Sequence, residues 1–126
     1  MSKIYHITTQ GQLAQAIKDG TYATPSLETE GFIHLSQRHQ VLKVANSFYK
    51  DQQNLVCLIV ETTLLEAPLK FEPPAHPDGK VHADISTSEM FPHLFGRLNM
   101  SAVVALAELM LDDAGNFVDL GPEKAR

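Results

Sequence analysis

A chain of 126 residues, 44% hydrophobic and 20% charged, has the balance of one globular domain that can bury a core without disulfides or metal. Its formal charge of −5 gives no phosphate-tracking basic surface, so nucleic acid is not an expected partner. A lone Cys57 excludes a disulfide framework, residues 1–6 lack a signal-type apolar region, and no apolar run reaches bilayer length; a cytoplasmic protein without membrane contact is expected.

Residues 4–8 read as a first strand. Thr9, with Gln12 three residues on, has the form of a capping box opening a helix. Leu13, Ala16 and Ile17 give that helix one apolar stripe, and Gly20 supplies a left-handed stop. Residues 32–35 are a second strand candidate. Ser36 then caps a second helix, where Val41, Val44, Ala45 and Phe48 fall at i, i+3, i+4 and i+7. The run 55–61 is almost continuously apolar and rich in Val and Ile, the pattern of a central strand buried on both faces. Residues 69–71 and 81–85 are shorter strand candidates, separated by a turn-rich loop at 73–79. Residues 102–110 read as a strand, and the turn at 112–116 makes a strand-turn-strand unit of that region. The expectation is a small α+β domain over 1–120, with two N-terminal helices and a frayed tail at 121–126.

Side chains alternate along a strand, which fixes where two histidines point. His6 shares a face with Ile4 and Thr8, while Tyr5 and Ile7 take the other. His34 shares a face with Phe32 and Ser36, while Ile33 and Leu35 take the other. Each strand has one apolar side and one mixed side, and each histidine lies on the mixed one. Neighbouring strands would open both imidazoles onto a common cleft. His93, in the stiff Phe91-Pro92-His93-Leu94-Phe95-Gly96 segment, suits a ligand wall. A satisfied core histidine is the competing reading for each. Without a His-x-His or His-x-x-x-His pair, no metal is expected. There is also no phosphate-binding glycine motif and no nucleophile elbow.

Three stretches, Ile4-Tyr5-His6-Ile7, Glu30-Gly31-Phe32-Ile33-His34-Leu35-Ser36 and Phe91-Pro92-His93-Leu94-Phe95-Gly96, resemble the bacterial family catalogued as domain of unknown function 952. The resemblance spans residues 3 to about 108. It implies an ADP-ribosyltransferase-like α+β fold, in which a split, bent, mixed or antiparallel sheet forms a cleft for NAD-like ligands. It further implies that His6 fixes ribose hydroxyls, with Thr8, Ser36, Phe91 and Phe95 completing the ligand wall. His34 and His93 then stand near the reacting centre, and Glu89 is the reserve candidate for the carboxylate that such transferases use. The expected function is ADP-ribosyl or related transfer on an NAD- or ADP-ribose-type molecule, with NAD as substrate or ligand. The alternative is a non-catalytic module that binds a nucleotide or small metabolite.

Overall fold

The apolar run at 55–61 becomes strand β4 (Leu55–Glu61), buried along its whole length after Leu55. It lies inside a four-stranded antiparallel sheet of order β1-β4-β8-β11. Its neighbours there are β1 (Lys3–Thr9), β8 (Val103–Ala107) and β11 (Lys124–Ala125). The computed structural model describes residues 2–74 and 89–126. The expected strand at 81–85 and most of the loop at 73–79 lie outside the described residues.

Alternation along β1 and β4 divides the core into two layers. Ile4, Val56, Leu58 and Val60 pack with Leu13 and Ala16 of helix α1 (Gln10–Asp19) and with Ile33 and Leu94. Tyr5, Ile7, Cys57 and Ile59 pack with Val41 and Ala45 of helix α3 (Val41–Phe48) and with Phe117. Each fully buried aliphatic side chain contributes about 1.5–3 kcal/mol relative to an exposed one. Thr9 caps α1 by accepting from the Gln12 amide at 3.2 Å, and Gly20 closes it at φ 78°. Ile17, assigned to the buried stripe, is 51% exposed.

A second antiparallel sheet has the order β3-β6-β5, from β3 (Ile33–His34), β6 (Phe91–Leu94) and β5 (Leu69–Glu72). Its register puts His34 opposite His93, and His93 opposite Lys70. The two sheets meet at a bridge between Tyr5 and Ser36, whose backbones exchange bonds of 2.8 and 2.7 Å. Pro92 sits within the middle strand, where it has no hydrogen to donate. Its carbonyl still accepts from the Leu35 amide at 3.0 Å.

Several expectations are corrected. Ser36 caps no helix, because its backbone is committed to Tyr5; α3 begins only at Val41, after a turn at 37–40. A short helix α2 (Pro25–Thr29) was not expected; proline at its first position fits a place where no amide hydrogen is needed. The tail is not frayed: Lys124 and Ala125 pair with Leu106 and Ala105, covering an edge of β8 that would otherwise lack partners. The hairpin after β8 forms as expected, from β9 (Leu109–Leu111) and β10 (Phe117–Leu120). The Asp112 carboxylate accepts from the amides of Ala114 and Asn116 in its turn. These bonds hold that carboxyl below its ordinary pKa. The last small sheet joins β2 (Thr21–Tyr22) to β7 (Leu98–Asn99). No helix among the described residues is long and apolar enough to cross a membrane.

Candidate functional site

His6 points from β1 into the layer between the two sheets and is buried. A carbonyl oxygen can only accept, so Nδ1 carries the ring hydrogen and donates to the His34 carbonyl at 2.7 Å. Nε2 lies 2.8 Å from the Tyr22 hydroxyl. That hydroxyl is 3.0 Å from Oγ1 of Thr8, which in turn donates to Oε1 of Gln12 at 2.7 Å. Burial pushes His6 down to about 4, against the raising effect of its bond to the His34 carbonyl. The ring is therefore neutral at physiological pH, and its hydrogen-free Nε2 shares with Thr8 Oγ1 the one hydrogen that the Tyr22 hydroxyl can donate. Burial also pushes the Tyr22 phenol up to about 12, so it stays protonated. Both nitrogens of His6 are bonded within the protein, and the ring holds Tyr22 and the β3 backbone.

His34 stands on the adjoining strand, half-buried, with Nε2 2.9 Å from Oε2 of Glu30. Four residues separate the two without a shared helix. Gly31 lies between them at φ 89°, a left-handed conformation that turns the chain sharply and costs other residues strain. The carboxylate accepts a hydrogen bond from Nε2, which leaves Nδ1 as the ring nitrogen turned away from Glu30. No described residue bonds to that nitrogen. Glu30 was absent from the sequence-based candidates, although it opens the motif that contains His34.

His93 repeats this arrangement on β6. Its Nδ1 is 2.8 Å from Oε1 of Glu72 on β5, while its Nε2 is buried without a partner among the described residues. Burial holds His93 below its ordinary pKa, and the bond to Glu72 opposes that. The His34 and His93 rings meet edge to face, 5.5 Å apart. Phe32 stacks on His93 at 4.1 Å and leans on His34 at 4.9 Å. Two imidazoles, each backed by a carboxylate, thus stand side by side with an aromatic ring across them.

A cleft of about 390 Å³ opens beside this group, within the range of small-molecule sites. His6, Thr8, Tyr22, Glu30 and His34 line it, as do Ser26 and Tyr49. Of the three histidines expected around one cleft, His6 and His34 line it, with Thr8 beside them. His93 is not on this wall; it lies behind, against His34 and Phe32. Ser36 is buried at the bridge between sheets, and Phe91 is buried in β6. Phe95 contacts Phe32 at 5.3 Å and carries the Lys70 ammonium over its ring at 5.1 Å. The reserve carboxylate Glu89 is paired with Lys43 of α3 at 3.0 Å, and the structure brings Glu30 and Glu72 to the imidazoles in its place. Cys57 is buried and pushed up to about 12 by that burial, which makes it an inert thiol. Among the described residues, no group of three or more His, Cys, Asp or Glu is placed to hold a metal ion.

Comparison with curated proteins finds no match. Among solved structures, the chain is similar to protein CC0527 from Caulobacter crescentus. Its crystal structure superposes with a TM-score of 0.74 at 32% identity, covering 93% of this chain and 94% of that one. The solution structure of the same protein gives 0.71 at 32% identity, covering 92% and 91%. A double mutant of it gives 0.73 at 31% identity, with 93% and 94% covered. Residues 7–106 match the family described as "Protein of unknown function (DUF952)". The chain belongs to that family.

Proposed function

We propose that the cleft holds the ribosyl part of an NAD- or ADP-ribose-type molecule, in an ADP-ribosyltransferase-like arrangement, and that the chain acts in ADP-ribosyl or a related transfer. The observation that carries this reading is His34 on the cleft wall, its Nε2 held by Glu30 at 2.9 Å. An imidazole oriented by a carboxylate is a general base near neutral pH, and the carboxylate steadies the imidazolium that forms. In a ribosyl transfer, C1′ gains positive charge as its leaving group departs. Glu30 is the anionic side chain beside that position, and His34 takes the proton of the incoming hydroxyl. The hydroxyls of Thr8, Tyr22, Thr24 and Ser26 are bonded within the protein and give the cleft a fixed, neutral polar wall, and the Tyr49 ring suits a planar base. His6, Tyr22 and Thr8 position this wall, which matters because small displacements of bound reactants cost much rate.

The test is titration of the protein with NAD, ADP-ribose and AMP, followed by amide shifts and by chromatography for released nicotinamide. Saturable binding with nicotinamide release, abolished in His34→Gln, is the expected result. Binding without release points to the non-catalytic module. No response to any of these ligands or to a simple N-riboside sinks the reading.

A further inference from the structure

We infer that the preferred ligand of this cleft is an uncharged or cationic N-riboside rather than a dinucleotide. The inference rests on the ribosyl-transfer reading and narrows its substrate class. Among the described residues lining the cleft, Glu30 carries the formal charge, and neither Lys nor Arg is present. The imidazole deepest in the wall, His6, is neutral and bonded at both nitrogens. The remaining polar groups are hydroxyls and the amides of Gln12 and Gln52. These are neutral groups, and none of them supplies the positive charge that a phosphate needs.

A diphosphate calls for the opposite wall, with guanidinium or ammonium groups in bonding reach. The described arginines are engaged elsewhere: Arg38 with Asp119 and the Tyr5 ring, Arg97 with the Thr21 hydroxyl, and Arg126 with the Met100 carbonyl. A pyridinium N-riboside reverses the sign of this interaction. Its positive ring nitrogen is attached to C1′, so Glu30 attracts the ground state and the developing oxocarbenium alike.

The transfer balances without a further reactant. The C1′–N bond breaks and its electron pair stays on nicotinamide, neutralising the pyridinium. A C1′–O bond forms from water, whose proton passes to His34 and then to solvent. Nicotinamide riboside cation and water thereby give nicotinamide, ribose and a proton.

The test is calorimetric titration of the full chain with nicotinamide riboside and with NAD, in salt of about 20 mM and about 300 mM, where screening differs severalfold. Nicotinamide riboside is expected to bind about tenfold or more tighter than NAD at low salt, with the gap narrowing at high salt. Glu30→Gln is expected to bring the two within about threefold, since it removes the charge that separates them. If Glu30→Gln does not fold, the salt series on the natural chain decides. NAD binding as tightly as the riboside, or a gap unchanged by salt, overturns the inference and leaves the ribosyl reading standing. Failure of both molecules to bind overturns both.

Discussion

His6 and His34 are joined by one hydrogen bond, yet they occupy opposite kinds of site. His6 has both ring nitrogens bonded inside the protein and is almost without exposure. His34 has one nitrogen held by Glu30 and the other left over, on the wall of a cleft. The first arrangement stabilises the protein, and the second leaves an imidazole free to work. Burial suppresses the ordinary proton exchange of histidine in His6, while His34 keeps a ring nitrogen that no described residue bonds. His93 lies between these extremes: oriented like His34, buried like His6.

The largest expected effect comes from emptying the locked position. His6→Ala leaves a cavity and strips partners from the Tyr22 hydroxyl and the His34 carbonyl, for a loss of about 4 kcal/mol by urea denaturation. A loss near zero would break the contrast, because His6 would then be as dispensable to the fold as His34.

The same locking fixes a pH dependence. His6 binds its proton at about 4 when folded and at about 6.5 when unfolded. The unfolded chain thus holds more protons in that interval, so stability is full above about 6.5 and falls as pH drops towards 4. The expected loss is about 3 kcal/mol across the window, read from urea midpoints at several pH values. His93, also held below its ordinary pKa, acts in the same direction. Stability that stays flat between pH 7 and 4 would show that neither ring is kept neutral by the fold.

Much of this frame is legible in the chain. Alternation puts His6 opposite Tyr5 and Ile7 and puts His34 opposite Ile33 and Leu35, although both faces of β1 are core, with Ile4 on the His6 face as buried as Ile7. The Thr9 cap, the Gly20 stop and the buried run at 55–61 are local patterns with local causes. The orienting carboxylates were not legible. Glu72 reaches His93 from a neighbouring strand 21 positions earlier, and pairing between strands leaves no mark in local sequence. Glu30 reaches His34 only because Gly31 turns the chain, and the same spacing on an exposed helix would be an ordinary surface pair. Ser36 looked like a helix cap since its hydroxyl suits one, but a long-range backbone bridge to Tyr5 took precedence. The tail strand and Tyr22 were missed for the same reason: their partners are distant.

Two smaller effects sharpen the contrast. Tyr22→Phe removes the hydrogen bond to His6 Nε2 while keeping the ring that packs against it, and is expected to cost about 1–2 kcal/mol in thermal or urea unfolding. An unchanged midpoint would mean that the phenol does not hold His6. Glu72→Gln leaves His93 packed against Phe32 and is expected to cost below about 1 kcal/mol. It should nonetheless lower the His93 pKa further, since the bond to Glu72 now raises it. An NMR titration of the ring signals checks this, and a His93 pKa that rises or stays put would place the stabilising charge elsewhere.

The most direct test is one variant measured two ways. His34→Gln alters a half-buried residue whose side chain makes one hydrogen bond, to Glu30, so its stability to unfolding should change by no more than about 0.5 kcal/mol. Its release of nicotinamide from a ribosyl ligand should fall by about a hundredfold, the ordinary contribution of a general base. A protein that loses stability in step with activity, or that keeps its activity in full, would contradict the assignment of His34 as the working imidazole.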